Sequence, residues 1–144
     1  MAHHDNQNDI EALKQLKARY CRLLDAKDWT AWRGIFADDL VLIADGGGGT
    51  EPTRLEGADT AVAALSTILN PIITVHQCHT PEIELTGADS ARGTWAMEDL
   101  LVYPAGSPVS KLQGYGHYHE TYVRRTGRWY IQTLELTRLH VIFT

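Results

Sequence analysis

Residues Leu112–Phe143 read LQGYGHYHETYVRRTGRWYIQTLELTRLHVIF. Tyr, Val, Thr, Trp, Ile and Leu dominate the run, and these residues suit a pleated surface. One break interrupts it, Thr126-Gly127, which has turn chemistry. Two long strands are expected, at about Leu112–Arg125 and Arg128–Phe143. The pattern extends upstream. Ile73–Thr86 and Ala91–Tyr103 are similar stretches, joined through Gly87-Ala88-Asp89 and Pro104–Ser110. Short links between consecutive strands predict an antiparallel meander.

The N-terminal half has a different period. Ile10, Leu13, Leu16, Tyr20 and Leu24 recur at steps of three and four, which makes one helical face. Asn8 and Glu11 have capping-box spacing, so the helix is expected to start there and to end near Asp25–Asp28. Met1–Gln7, polar and carrying His3 and His4, is expected to be a disordered lead-in, with one domain over 8–144. Asp28 can cap a short helix containing Trp29, Trp32, Ile35 and Phe36. Leu40–Ala44 follows as a short strand. Gly46–Gly49 lacks the Lys-Ser/Thr of a phosphate loop and suits a hairpin or pocket rim. A third helix fits Asp59–Leu69, with Val62, Leu65, Ile68 and Leu69 as apolar positions, and Asn70-Pro71 stops it. Helices first and strands afterwards predict an α+β fold, with the helices on one sheet face.

Composition narrows the function. The 144 residues carry 13 Lys+Arg, 18 Asp+Glu and 7 His, a formal charge of -5. An acidic balance argues against nucleic-acid binding, which needs a basic surface. No apolar run approaches the roughly 20 residues that span a bilayer, and no export signal is evident. Cys21 and Cys78 have no CxxC spacing, which suits a reduced, cytoplasmic compartment.

Strand parity singles out polar residues in apolar company. Asp99 shares a row with Ala91, Trp95, Met97, Leu101 and Tyr103, whereas Glu98 shares one with Arg92. A carboxylate there must be paired, solvated or protonated. Arg138 lies in a row with Leu134, Leu136, His140 and Ile142, and Asp99 is a candidate partner. His76 shares a row with Thr74 and Cys78. Alone, such a residue is more often a hydrogen-bonded structural histidine than a catalyst, although histidine is the side chain best poised for proton transfer near neutrality. His79 falls on the opposite row unless Pro81 brings a bulge. Asp25 sits where the first helix ends and the dipole disfavours an anion. Tyr20, five residues earlier, points elsewhere around the axis but could flank the same cavity. His117 and His119 form an HxH pair with no evident third metal ligand, so a pocket wall or subunit contact is expected for them.

Together these residues resemble the SnoaL-like branch of the nuclear transport factor 2-like superfamily. The marks are Arg19-Tyr20-x4-Asp25-x2-Asp28-Trp29, Phe36–Asp39, Thr74-Val75-His76 and Gly114–Tyr122 followed by Gly127–Ile131. The resemblance implies a cone, with helices closing a strongly curved sheet around an apolar pocket. Within that branch the chain resembles bile-acid 7-alpha-dehydratase, whose site residue types Tyr20, Asp25, His76, Asp99 and Arg138 match in order. Scytalone dehydratase and hexachlorocyclohexane dehydrochlorinase look like more distant relatives.

The resemblance implies a cofactor-independent dehydratase acting on a hydrophobic, steroid-like or polycyclic hydroxy-ketone. His76 would be the base, Asp25 its orienting partner, Tyr20 a donor to oxygen, and Asp99 with Arg138 a polarising pair. Trp95, Met97, Tyr103, Tyr118 and His117 are the expected pocket residues, with no metal and no cofactor. A double-bond isomerase or a non-catalytic binder of small molecules would use the same pocket. Both rows of the long strands carry apolar residues, so a homo-oligomer is expected, and the resemblance implies a trimer before a dimer.

Overall fold

The protein is described here by a computed structural model covering residues 5–144. Helix α1 spans Asn6–Asp25 and is capped by Asp5, whose carboxylate accepts the Gln7 amide at 3.0 Å. The start thus lies ahead of the expected Asn8 cap, and Asn6 and Gln7 are helical rather than part of a lead-in. The earlier turn fixes Asp9, whose amide donates to the Asp5 carbonyl. Asp9 is then held by Arg124 at 2.5 Å and by the Trp129 indole at 3.2 Å. His3 and His4 lie outside the described residues.

The other end of α1 is equally defined. The Lys27 amide donates to Leu24 and the Asp28 amide to Leu23, both at 3.0 Å, with Lys27 at φ 60°. This double bond around a left-handed residue is a Schellman-type stop, and it makes Asp25 the last helical residue. Asp28 then caps α2, Trp29–Arg33, by accepting the Ala31 amide. The helix is shorter than expected. Gly34 closes it, and Phe36 opens strand β1, Phe36–Ala44. Strand β2, Thr53–Glu56, was not evident in the sequence, because four mostly exposed residues carry no alternation. Helix α3 spans Ala58–Leu69. Strands β3 (Ile73–Gly87), β4 (Ser90–Val102), β5 (Lys111–Arg125) and β6 (Arg128–Phe143) follow.

The sheet order is β2-β1-β6-β5-β4-β3. The antiparallel meander is present. The sheet is not wholly antiparallel, however, since β1 runs parallel to β6. Only consecutive strands with short links must reverse direction, and α3 and the meander separate these two. The helices and the inner rows of this curved sheet share one core, built on Leu13, Leu16, Trp32, Phe36, Leu40 and Ile131 among others. This is the α+β arrangement that the order of elements predicts, in the cone form that the resemblance implies.

The register shifts at several places in the sheet, and two of these shifts bear on residues singled out above. One falls between Cys78 and Pro81 on edge strand β3, where a missing N–H costs no ladder bond. The other falls on β6, where Tyr115 pairs with His140 and Gly116 with Arg138. The residue Leu139 is therefore extra, so His140 and Ile142 leave the row of Arg138, contrary to strict parity. His140 faces outward and stacks on Tyr115, ring centroids 6.5 Å apart. No helix among the described residues is long and apolar enough to cross a membrane.

Deep in the cone, Lys17 and Glu120 form an ion pair at 2.9 Å with both side chains fully buried. Lys17 lies on the apolar stripe of α1, and Glu120 is on the inner row of β5. The Lys17 ammonium sits 3.6 Å from the ring centroids of both Tyr20 and Tyr118. Tyr122 donates to the other Glu120 oxygen, and the Trp95 indole donates to Tyr122, each at 2.8 Å. Every charge and hydroxyl in this chain has a partner. Breaking one side strands the other in low dielectric. Lys17→Met should cost about 3–5 kcal/mol of stability. Lys17→Met with Glu120→Gln should recover a large part of the loss, as read by urea denaturation.

Candidate active site

One rung of the sheet brings the polar residues together. His76 on β3 is in register with Asp99 on β4, and Asp99 with Gly114 on β5. The end of α1 docks on the β3 side of this rung. The Asp25 carboxylate accepts three hydrogen bonds there. His76 Nδ1 reaches Oδ1 at 2.7 Å, the Thr74 hydroxyl reaches Oδ1 at 2.9 Å, and the His76 backbone amide reaches Oδ2 at 2.8 Å. Lys27 donates to the Thr74 hydroxyl at 2.6 Å. Burial lowers the Lys27 pKa, and Asp25 pulls it back up in part. Asp25 is thus a bracket for His76 and not a solvated surface acid. With Nδ1–H given to Asp25, Nε2 carries the lone pair of the neutral ring. Among the described residues Nε2 has no protein hydrogen-bond partner.

At the other end of the rung Asp99 and Arg138 form a bidentate pair at 2.6 and 2.9 Å. Both side chains are buried, and Arg138 Nε also donates to the Asp45 carbonyl at 3.1 Å. Burial opposes the guanidinium charge, but bonding to Asp99 outweighs it and raises the Arg138 pKa. Two glycines make room for this pair. A Cβ on Gly114 would land on Arg138 Nη1 and Asp99 Oδ1. A Cβ on Gly116 would strike the Thr137 carbonyl at the β6 bulge. The Gly-x-Gly in the opening quotation is therefore the floor on which the ion pair lies.

These groups line a cavity of about 230 Å³. Tyr20, Tyr118, Trp32, Leu134 and Leu136 form much of its apolar wall, and Leu65, Ile68 and Leu69 of α3 bring the exposed Ile68 to it. Gly46, with Asp45, lines it, whereas Gly47, Gly48 and Gly49 of the same run do not. Burial pushes the phenols of Tyr20 and Tyr118 well above their ordinary value. Tyr103 is raised as well, by burial first and then by the Asp99 charge. All three tyrosines stay neutral, able to donate a proton in a hydrogen bond.

His76, Tyr20, Asp99, Arg138, Tyr103 and Tyr118 therefore line one cavity, and Asp25 stands behind His76. Three expected pocket residues lie elsewhere. Trp95 and Met97 are on the inner row but farther along the cone, packed in the core, with the Trp95 indole committed to Tyr122. His117 faces the opposite side of the sheet, because β5 buries Gly116 and Tyr118 instead. His119 faces out with it and meets the Thr137 hydroxyl at 3.0 Å. No group of three or more His, Cys, Asp or Glu among the described residues is placed to hold a metal ion. Sequence reading missed Asp45, Trp32 and the Lys17–Glu120 pair. The lysine on an otherwise apolar helical stripe was the available signal.

A profile of the SnoaL-like domain matches residues 5–135, and the chain belongs to that family. Its fold is also that of solved structures under a quarter identical to it. The "Putative Scytalone Dehydratase" of Novosphingobium aromaticivorans superposes with a TM-score of 0.84 at 18% identity, covering 96% of this chain and 89% of that one. The hexachlorocyclohexane dehydrochlorinase LinA-type3 of Novosphingobium barchaimii gives 0.80 at 18% identity, covering 96% and 91%. In sequence, the "Probable cyclase FGR4" of Gibberella zeae is 23% identical over 138 residues, 89% of each chain.

The glycine floor can be tested directly. Gly114→Ala should push the Asp99 and Arg138 side chains apart and cost about 1–3 kcal/mol, the usual range for overpacking. Urea unfolding reads the loss.

Proposed function

We propose that this member of the SnoaL-like family is a cofactor-independent lyase that eliminates water from a small cyclic hydroxy-ketone. The observation that carries the reading is the His76–Asp25 pair, with Nε2 of His76 left free in the wall of an apolar cavity. Nε2 takes a proton from the carbon beside the substrate carbonyl. The released electron pair becomes the new C=C bond, and the C–O bond to the leaving hydroxyl breaks. Asp25 holds the imidazole in the required tautomer and stabilises its charged form. Tyr20, neutral through burial, donates to the carbonyl oxygen or gives the leaving hydroxyl its proton as water departs. Asp99, charged opposite Arg138, orients the substrate by accepting from its hydroxyl. The apolar wall excludes bulk water and strengthens each of these interactions.

Cavity size bears on the substrate. About 230 Å³ lies below the roughly 300–1,000 Å³ of sites for drug-sized ligands. This favours a molecule of one or two rings over a steroid-sized one. The dehydratase and dehydrochlorinase names among the structural neighbours support elimination as the reaction class.

The uncovered sheet face bears on assembly. Val75 and Ile142 lie in register through Leu100 and Gln113, and together with Ile73 and Tyr115 they leave apolar surface exposed. We propose that a homo-oligomer covers this face, a trimer before a dimer. Light scattering should give a mass of about three chains, and a monomer would overturn the reading.

Mass spectrometry tests the chemistry. A panel of mono-, bi- and polycyclic hydroxy-ketones is incubated with the wild type and with His76→Ala. The expected result is loss of one water with the wild type, with a rate about 10²–10⁴-fold lower in the variant. Unchanged product mass with a shifted double bond would identify an isomerase. Binding without conversion would identify a carrier. An unchanged rate in His76→Ala would remove that residue from the mechanism.

A further inference from the structure

The chain contains two cysteines, 57 positions apart, and the fold brings them together. Cys21 projects from α1 and Cys78 from β3, with their sulfurs 3.6 Å apart. Both are free thiols and both are half-buried, so a small solute can reach them. Neither lines the cavity, and the proposed elimination uses neither. Their position is regular. Cys21 lies one helical turn before Asp25 on α1, and Cys78 lies two residues after His76 on the same inward row of β3. The seam between α1 and β3 therefore has two adjacent rungs, Asp25–His76 and Cys21–Cys78.

We propose that Cys21 and Cys78 are a redox modification site, a dithiol that a hydroperoxide converts to an intrachain disulfide clamping α1 to β3. Closure from 3.6 Å to a bonded separation of about 2.05 Å needs a movement of about 1.5 Å. Rotation of two side chains on facing elements can supply most of it. The two thiols are not equivalent. The hydrogen bond between the two thiols, helped by the nearby Lys17 charge, makes Cys21 the more acidic of the two, against the effect of burial. Cys78 is pushed upward, first by that hydrogen bond and then by burial.

The order of events follows. The Cys21 thiolate attacks one oxygen of the hydroperoxide, the O–O bond breaks, and the alkoxide or hydroxide that leaves is protonated. Cys21 is now a sulfenic acid. The Cys78 sulfur attacks the Cys21 sulfur, the S–S bond forms, and the S–O bond breaks. The leaving hydroxide takes the Cys78 proton as water. In sum, two thiols and one hydroperoxide give one disulfide, one water and one alcohol, or two waters from hydrogen peroxide. The thiols lose two electrons and the peroxide gains them.

The test uses the full chain with hydrogen peroxide at a few equivalents. Loss of both thiols, a mass lower by two hydrogens, a Cys21–Cys78 cross-linked peptide and no covalent dimer are expected. The melting temperature should rise by roughly 5–10 °C, because the bridge restricts a long loop of the unfolded chain. A thiol reductant should reverse all of these. In Cys78→Ser the sulfenic acid should persist on Cys21 and react with a dimedone probe. Two intact thiols under conditions that oxidise a control dithiol peptide would overturn the proposal. So would a gain of oxygen atoms on separate cysteines, a covalent dimer, or a bridge that forms only with a fall in melting temperature.

Discussion

The carboxylate of Asp25 joins the helical layer to the sheet, and the site is organised around that joint. An anion at a helix C-terminus is opposed by the macrodipole, so it must find donors outside the helix. It finds them on β3, an edge strand whose outward amides would otherwise be unpaired. The His76 amide, the His76 ring and the Thr74 hydroxyl all converge on Asp25. The helix end and the strand edge each carry an unmet electrostatic need, and each meets the other's. The Schellman stop at Lys27 fixes where the helix ends. It therefore fixes which residue performs this role. Lys17 and Cys21, at successive turns before Asp25, lie along the same helix. Their partners, Glu120 and Cys78, complete the contact between α1 and the sheet.

The cavity follows a related rule. An apolar interior raises the energy of any lone charge, so the buried charged groups in the cavity wall and beneath it occur as pairs. Asp99 is bound to Arg138, Asp25 to His76, and Lys17 to Glu120 beneath the two buried tyrosines. The phenols respond to the same environment by staying neutral. The interior can thus be polar without being hydrated. Gly114 is the steric condition for the Asp99–Arg138 pair, since any side chain there would occupy its place. A glycine within a strand weakens it, and this one is retained at the point where the ion pair crosses the sheet.

Much of this could be read from the sequence because strand parity is strict wherever the ladder is regular. Asp99, Trp95 and Tyr118 fall on the inner face as alternation requires. Parity failed at Leu139, where one extra residue moves His140 and Ile142 to the outer face. It also gave no position along the strand axis. Trp95 and Met97 share a row with Asp99 but lie beyond the cavity, in the core. The helical period located α1 but not its first residue, because Asp5 and Asn8 are both competent caps and only the tertiary partners of Asp9 decide between them. Lys17 illustrates a further limit. A lysine on an apolar stripe must be paired, yet its partner lies 103 positions away on a strand whose depth the sequence does not give.

The distribution of hydrogen bonds around His76 is what the proposed proton transfer rests on. Among the described residues Nε2 of this ring has no protein partner, and it is not fully buried, so it is open to a ligand or to solvent. Here all the protein bonding is on one side. Asp25 takes Nδ1–H and the backbone amide of the same residue, which fixes the ring's position and its tautomer together. Asp25 has three donors around it and stands behind His76, so it is poorly placed to accept a proton from a ligand. Nε2 is the remaining basic atom, on a residue that lines the cavity. The arrangement favours proton transfer at Nε2 with Asp25 as its electrostatic support.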